Sequence, residues 1–225
     1  MTENYRRYDT SQEESRLQGI RQAKAALERG ELVVLPTDTV YGIAANAFSP
    51  SAVARLLKAK GRGRNSPPPV LIAGAHQLEA LASQIPSVAS SLAEKYWPGA
   101  LTMVLSAQPA LDWDLGETRG TVALRVPDHP VTLELIREFG PIAVSSANLH
   151  GDPAATDCEN AVSQLGESVS VYLNSGPSAI GSPSTILDLT PLALKDPVRV
   201  LREGAIDSAE LLSFIASQPY EATEQ

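Results

Sequence analysis

Short apolar runs alternate along this chain with segments whose apolar residues recur at helical spacing. The run Ile142-Ala143-Val144 is typical of a buried strand, whereas the segment from Ser15 to Gly30 repeats its apolar residues every three or four positions. Strands are predicted over 31–35, 70–73, 101–105, 121–126, 142–144, 168–173, 184–189 and 198–201, and helices over 15–29, 49–60, 75–83, 87–96, 130–139 and 207–216. This alternation predicts an α/β fold built on one main sheet.

Two pairs of successive strands have no helix between them. Segments 101–105 and 121–126 form one pair, and 184–189 and 198–201 form the other. Parallel neighbours need a long crossover connection, so these pairs predict a mixed sheet. With 43% hydrophobic residues the chain can form one domain, predicted over 16–217, between a loose N-terminal arm over 1–15 and a C-terminal tail over 218–225.

The charge balance restricts the ligands that this chain can bind. Its 18 Lys and Arg stand against 26 Asp and Glu, which gives a net charge of −8. A protein that holds a nucleic acid electrostatically presents an excess of cations to the phosphates. This chain lacks that excess, so any positive charge that matters is local and suits a small anionic ligand better.

Cysteine and histidine offer little for metal or disulfide chemistry. Cys158 is the only cysteine, which excludes an internal disulfide and a cysteine-based metal cluster. His76, His129 and His150 are too far apart in sequence to suggest a metal triad, so we predict no side-chain metal ligands. The polar start of the chain and the absence of an apolar run of ~20 residues predict a cytoplasmic protein with no membrane span.

A basic segment stands out against the acidic chain. Four cations fall within the seven residues from Lys58 to Arg64, at a predicted helix end followed by glycines. Such a run can simply complement the helix dipole or form a solvated surface. It can also bring Lys60 and Arg62 together on one polyphosphate, which the contrast in sign favours. The spacing is not that of a Walker A loop.

Polar side chains follow two of the predicted strands. The segment Thr37-Asp38-Thr39 comes after strand 31–35, and Ser145-Ser146-Ala147-Asn148 comes after strand 142–144. The ends of strands are where α/β sheets usually bind ligands, but capped turns would explain both segments as well. Read alone, Thr37-Asp38-Thr39 leaves both possibilities open, and Ser145–Asn148 favours a turn.

Arg125 lies among apolar neighbours in the predicted strand 121–126. A buried arginine needs an anionic partner, which can be a carboxylate of the protein or a ligand, and the sequence leaves both open. Arg202, just after strand 198–201, poses the same question.

The order of these segments resembles the YrdC/TsaC family of threonylcarbamoyl-AMP synthases. The resemblance runs from about Leu17 to Ile206 and is that of a short form without an extra C-terminal domain. It is carried by Pro36-Thr37-Asp38-Thr39-Val40-Tyr41-Gly42, Lys60-Gly61-Arg62, Ala123-Leu124-Arg125-Val126-Pro127, Ser145-Ser146-Ala147-Asn148, Pro183-Ser184-Thr185-Ile186 and Leu201-Arg202.

The resemblance implies a twisted, mostly open mixed sheet flanked by helices, with a deep, positively charged cavity on one side. It also implies the formation of threonylcarbamoyl-AMP and pyrophosphate from L-threonine, bicarbonate and ATP, with Mg²⁺. Proteins that transfer the threonylcarbamoyl group to tRNA would be the downstream partners, and direct tRNA binding would be weak or absent.

The resemblance further implies the roles of particular residues. Lys60 and Arg62 would be the catalytic pair. The predicted ATP contacts are Lys60, Arg62, Ser66, Val144, Ser146, Asn148 and Arg202, and the predicted threonine contacts are Thr37, Tyr41, Arg125 and Ser184.

The chain departs from the family pattern at Gly63, Ser66, Leu71 and Ala154. Two alternatives stand beside the main reading: a paralogue that makes another carbamoyl adenylate, and a non-catalytic RNA-binding module.

Overall fold

A computed structural model describes residues 5–194 and 196–218 of the chain. The strands are β1 (Arg6–Asp9), β2 (Val33–Leu35), β3 (Gly42–Asn46), β4 (Val70–Leu71), β5 (Ala82–Ser83), β6 (Leu101–Ala107), β7 (Thr121–Arg125), β8 (Ile142–Ser146), β9 (Val171–Asn174), β10 (Thr185–Asp188) and β11 (Arg199–Arg202). The helices are α1 (Glu13–Glu28), α2 (Pro50–Ala59), α3 (Leu78–Leu81), α4 (Ser87–Tyr96), α5 (Pro130–Phe139), α6 (Cys158–Leu165) and α7 (Ser208–Ser217).

All eleven strands join one mixed sheet in the order β1-β9-β2-β3-β8-β4-β7-β6-β10-β11, with β5 paired to β6 beside this path. The two strand pairs predicted without a helix between them, β6 with β7 and β10 with β11, are antiparallel, whereas β4 with β7 and β6 with β10 are parallel. The prediction of a single α/β domain on a mixed sheet is therefore confirmed. None of the helices described is both long and apolar enough to cross a membrane.

The two faces of the sheet are covered differently. One face packs against α2, α3, α4, α6 and α7 in a large core that includes Leu56, Leu92 and Leu211. On the other face α1 and α5 cover β2, β3, β8 and β9 in a second core that includes Ile20 and Leu135. Apolar side chains supply both cores, and their burial is the main favourable term in folding. Neither core extends over the outer surface of β6, β7 and β10, which remains open and forms the floor of a cavity.

The local signals at α2 behave as the sequence indicates. Ser49 caps the helix by accepting a hydrogen bond from the amide of Ala52, and Pro50 occupies the first turn. The helix ends at Ala59 with Lys60 as its C-cap, and Gly61 then adopts a φ of +65°, where a residue without a side chain is favoured. This turn sets the direction in which the basic segment leaves the helix.

Two predictions about the elements are wrong. Residues 6–9 of the supposed loose arm form β1, which pairs in parallel with β9 because the buried Tyr8 packs against α1. The helix predicted over 75–83 is a 3₁₀ turn, the single helical turn α3 and the short strand β5, since Ala82 and Ser83 pair with β6. Strand β3 was not predicted at all. Of the predicted C-terminal tail only Gln218 is described, and 219–225 lie outside the described residues.

Candidate active site

The cavity has a volume of about 600 Å³. Its floor comes from β6, β7 and β10, and its rim comes from the loops around residues 37–42, 62–69, 115–118 and 183–184, with Leu201 and Arg202 of β11. Three arginines, Arg62, Arg125 and Arg202, belong to this wall, and none of the described lining residues is Asp or Glu. The cavity of this acidic protein is therefore a local site of positive charge.

Nine of the eleven predicted site residues line this one cavity. They are Thr37, Tyr41, Arg62, Ser66, Arg125, Val144, Ser146, Ser184 and Arg202. The segments that carry them are spread over more than 160 positions of sequence, from Thr37 to Arg202. The sheet brings them together, since β3 lies next to β8, and β4, β7, β6, β10 and β11 follow in order.

The other two predicted residues, Lys60 and Asn148, lie outside the cavity wall. Lys60 has no exposed surface, and Asn148 is 4% exposed. Nζ of Lys60 donates to the carbonyl oxygens of Ser146 and Asn148 and, at 3.3 Å, to the Asn148 side-chain oxygen. The acceptors behind the loop hold the Lys60 side chain away from the cavity in this structure. The predicted ATP contacts of Lys60 and Asn148 stay a prediction.

Arg125 is held in place by three groups of the protein. Its Nε donates to the carbonyl oxygen of Gly99 at 2.8 Å, its Nη1 to Thr39 Oγ1 at 2.9 Å, and its Nη2 to Asp38 Oδ1 at 2.5 Å. Burial lowers the pKa of Arg125, and the charge of Asp38 opposes that effect. The sequence left the partner of Arg125 open, and the structure identifies a carboxylate of the protein. The guanidinium group still borders the cavity.

The loop from Thr37 to Tyr41 is fixed by its own side chains. Thr37 Oγ1 donates to the carbonyl oxygen of Val40 at 2.6 Å and accepts from the amide of Thr39 at 3.2 Å. The Tyr41 hydroxyl donates to the carbonyl oxygen of Gly176 at 2.7 Å and accepts from the amide of Ser175 at 3.0 Å. Tyr41, which has no exposed surface, therefore fastens the loop after β9 onto this wall from behind.

Ser184 is the centre of a polar cluster at the opposite wall. Its Oγ lies 2.8 Å from Thr102 Oγ1, and Arg202 Nη2 donates to the Ser184 carbonyl oxygen at 2.7 Å and to Oγ at 3.1 Å. The pKa of Arg202 is lowered by desolvation and then by the positive charges of Arg125 and Arg62. This mutual repulsion among three cationic side chains is relieved when an anion enters between them.

Arg62 is the arginine of the cavity with the fewest partners in the protein. Its Nη1 reaches Ser145 Oγ only at 3.5 Å, and its buried Nε has no hydrogen-bond partner among the described residues. A guanidinium group carries five N–H donors in a planar fork that suits phosphate oxygens. Arg62 is thus the side chain best prepared to bind an anionic ligand.

Thr39 and Thr102 belong to the site but were not among the predicted residues. Both are buried and line the cavity. In β6 the side chains of Thr102 and Val104 enter the cavity, whereas Leu101, Met103 and Leu105 enter the core. A single threonine at an alternate position of an otherwise apolar strand was the available signal, because successive side chains of a strand point to opposite faces.

The cavity can bind and orient anions, and its described lining contains no cysteine or histidine that could act as a nucleophile or activate a hydroxyl. The lining consists of hydroxyls, the amide of Asn65, arginines and apolar side chains. Cys158 lies in the core at the start of α6, where burial raises its pKa to about 11. An uncharged thiol in that position is a poor nucleophile.

Fold and site together define a single-domain α/β protein with a cationic, ligand-sized cavity on the open half of a mixed sheet. The family model of Sua5, YciO and YrdC proteins, described as "Telomere recombination", matches residues 25–204. The chain belongs to this family.

Relatives and solved structures agree with that assignment. A Mycobacterium tuberculosis protein named "Putative threonylcarbamoyl-AMP synthase" is 50% identical over 215 residues, which is 96% of each chain. The threonylcarbamoyl-AMP synthase of Bacillus subtilis is 41% identical, and the match covers 87% of this chain and 56% of that protein. The crystal structure of P. abyssi Sua5 complexed with L-threonine superposes with a TM-score of 0.80 at 37% identity, over 87% of this chain and 57% of that one. The crystal structure of E. coli YciO gives a TM-score of 0.76 at 25% identity, over 90% and 95% of the two chains.

Proposed function

We propose that this chain is a threonylcarbamoyl-AMP synthase that acts in the threonylcarbamoyladenosine modification of tRNA. The reaction joins L-threonine, bicarbonate and ATP into threonylcarbamoyl-AMP, with release of pyrophosphate and water. The observation that carries the proposal is the cavity lined by Arg62, Arg125 and Arg202 without a carboxylate, in a chain of net charge −8. The names of the relatives, threonylcarbamoyl-AMP synthases, support threonylcarbamoyl-AMP as the product formed in such a cavity.

The reaction asks mainly for positioning and charge neutralisation. The amino group of threonine forms a C–N bond with the carbon of bicarbonate, one C–O bond of bicarbonate breaks, and its oxygen leaves as water with a proton from the amine, which gives a carbamate. A carbamate oxygen then attacks the α-phosphorus of ATP, and the bond to the bridging oxygen of the β-phosphate breaks. Both reactants are anions, so a site that offers fixed cations and hydrogen-bond donors lowers the barrier without a protein nucleophile.

We assign the lining residues of the cavity to the two substrates. Arg62 and Ser146, with Ser66, Val144 and Arg202, would contact ATP, and Arg62 would neutralise the phosphates. Arg125 and Ser184, with Thr37 and Tyr41, would contact threonine. The support for this assignment is that all nine residues line one cavity and that, of its three arginines, Arg62 has the fewest partners in the protein.

The residues of the cavity do not fit a protein-held Mg²⁺. Mg²⁺ in nucleotide sites is usually held by one or two carboxylates together with the phosphates. The described lining contains no carboxylate, and the described residues contain no group of three His, Cys, Asp or Glu that could hold a metal ion. Any Mg²⁺ that enters with ATP belongs to the substrate, and no step depends on a protein ligand to it.

The proposal extends to partners and location. The product would pass to proteins that transfer the threonylcarbamoyl group to tRNA, and direct tRNA binding would be weak because the net charge of −8 opposes a phosphate footprint. A cytoplasmic location is part of the same proposal.

Pyrophosphate release tests the function. The protein is incubated with ATP and bicarbonate, with L-threonine or with serine, valine or alanine in its place. We expect release that depends on threonine and exceeds that with the other amino acids. Equal release with and without threonine would overturn the proposal, and release with another amino acid alone would indicate a different carbamoyl adenylate.

Substitution of Arg62 tests the proposed phosphate contact. Arg62→Ala should lower kcat/KM by on the order of 10²–10³-fold, as loss of one well-placed donor to a transition-state charge does. The matched control is Arg21→Ala, since Arg21 is an exposed residue of α1 whose Nε donates to Leu17 of the same helix. Arg21→Ala should leave the rate unchanged. An Arg62→Ala enzyme as active as the control would refute the phosphate assignment.

A further inference from the structure

The motif Lys60-Gly61-Arg62 sends its two cations to opposite sides of one wall. Arg62 lines the cavity, whereas Lys60 is fully buried behind the loop that follows β8. Gly61, with φ of +65°, makes the turn between them. A pair of cations at positions i and i+2 therefore does not act as one phosphate clamp in this structure.

The hydrogen bonds of Lys60 leave no donor for a ligand. A lysine side chain has three N–H donors as the ammonium group and two as the neutral amine. Three oxygens surround Nζ: the carbonyl of Ser146, the carbonyl of Asn148 at 2.6 Å and the side-chain Oδ1 of Asn148 at 3.3 Å. To bind a phosphate, Lys60 would have to give up one of these acceptors inside the protein, which costs the desolvation of that group.

Asn148 completes the same unit. Its Nδ2 donates to the carbonyl oxygens of Leu149 and Asp152, both at 2.8 Å, while its Oδ1 accepts from Lys60. The loop also returns a bond to Lys60, because the amide of His150 donates to the Lys60 carbonyl oxygen at 2.9 Å. All polar atoms of both side chains thus bind the segment from 146 to 152, and neither side chain lines the cavity.

Lys60 and Asn148 together support the side of this loop that faces the cavity. Ser145 and Ser146 both line the cavity, and Ser145 Oγ is the contact of Arg62. Ala147 donates its amide to the Tyr41 carbonyl oxygen at 2.8 Å, so the loop is also tied to the wall formed by residues 37–42. A shift of the Ser146 or Asn148 carbonyl would therefore move groups on the nucleotide side of the cavity.

We infer that Lys60 and Asn148 are positioning residues, which together hold the loop 145–150 so that Ser145, Ser146 and Arg62 present their donors to the nucleotide. This role deepens the proposed synthase function and rests on it for the identity of the nucleotide. It assigns the two residues a task different from direct phosphate contact.

A double-mutant cycle tests the inference. Lys60→Met keeps the length of the side chain and removes its donors, and Asn148→Ala removes the acceptor. We expect each to lower kcat by on the order of 10²-fold, as small misplacements of reacting groups do. Because the two side chains form one unit, the double variant should lose no more than the worse single variant. If the double variant lost kcat by the product of the two single losses, the inference would be overturned, since two residues that contact ATP independently behave in that way. Lys58→Met, at an exposed position of α2, is the control and should retain the wild-type rate.

Ligand binding separates positioning from phosphate contact without turnover. By calorimetry, Lys60→Met should lower the affinity for ATP and for inorganic tripolyphosphate in the wild-type background, but much less in an Arg62→Ala background, because the positioning acts in large part through Arg62. An equal loss of affinity in both backgrounds would instead show direct phosphate contact by Lys60 and refute the inference.

Hydrogen exchange supplies a readout independent of the reaction. In Lys60→Met the amides of Ala147 and His150, both bonded in the structure, should exchange at least about tenfold faster, while the amides of α5 remain protected. Unchanged exchange at these amides would overturn the inference even if the wild type made no threonylcarbamoyl-AMP. Failure of the proposed function would appear separately, as a wild type without threonine-dependent pyrophosphate release.

Discussion

At the scale of single residues, the cavity depends on a buried ion pair. Asp38 and Arg125 are each about 8% exposed, and Asp38 Oδ1 also accepts the amide of Asp128 at 3.0 Å. The second oxygen of Asp38 is buried and has no hydrogen-bond partner among the described residues. Burying two charges is costly, and removing one partner leaves the other charge uncompensated. The pair therefore fixes Arg125 more firmly than it stabilises the fold.

The substitution Asp38→Asn tests this pair. It should lower the free energy of unfolding by about 3–5 kcal/mol, because Arg125 would remain as an unpaired buried charge. The control is Asp114→Asn, which breaks the exposed pair with Arg64 and should cost only about 0–1 kcal/mol. Urea unfolding monitored by circular dichroism measures both. Equal losses in the two variants would contradict the role given to Asp38.

At the scale of elements, some strands form at positions where the sequence has little strand propensity. Eight of the eleven strands described were predicted, whereas β1, β3 and β5 were not. In β1, Arg6-Arg7-Tyr8-Asp9, Tyr8 alone is buried, which is typical of an edge strand and gives almost no periodic signal. In β3 the small residues Gly42, Ala44 and Ala45 favour strands weakly. Tertiary packing, not strand propensity, decides both elements. A Cβ on Gly42 would lie 2.6 Å from Val144 Cγ1, so the backbone of β3 can lie this close to Val144 of β8 only because residue 42 has no side chain.

The contribution of β1 can be measured through Tyr8. Its Cβ lies so near α1 that a Cβ on Gly19 would approach it to 2.7 Å. Tyr8→Ala should lower the free energy of unfolding by about 3 kcal/mol, in the range for removal of a buried aromatic side chain. Leu17→Ala, at a position of α1 that is 41% exposed, should change it by no more than about 0.5 kcal/mol. If residues 6–9 were a loose arm, Tyr8→Ala would be as neutral as this control.

At the scale of the whole molecule, the topology turns scattered motifs into a site. The family resemblance, carried by the order of segments, was enough to group nine residues around one cavity, because each belongs to a strand of the same sheet or to a loop that leads into or out of one. The order of residues does not show whether a side chain in a loop points towards the cavity or into the protein interior. Lys60 and Arg62 looked equivalent for that reason, and only the turn at Gly61 distinguishes the buried cation from the one that faces a ligand. Thr102 was missed because its partner, Ser184, is 82 positions away.

The burial of Lys60 also makes the stability of the whole protein depend on pH. Desolvation, and then the charge of Arg62, lowers the pKa of Lys60 from 10.5 to about 7. Between these two values the unfolded chain binds a proton that the folded protein does not, so the free energy of unfolding rises with pH, by at most ~1.4 kcal/mol per pH unit for this group. Burial raises the pKa of the Cys158 thiol to about 11 and of Tyr41 to about 12, which acts in the opposite direction at higher pH.

The window from pH 7 to pH 8.5 isolates the contribution of Lys60. Urea unfolding of the wild type should show a free energy of unfolding that rises across this window, and Lys58→Met should show the same rise because Lys58 is exposed. Lys60→Met should remove most of the slope, whatever its absolute stability, since the titrating group is gone. A wild type whose stability is flat or falls from pH 7 to pH 8.5 would contradict the lowered pKa. An unchanged slope in Lys60→Met would assign the titration to another group.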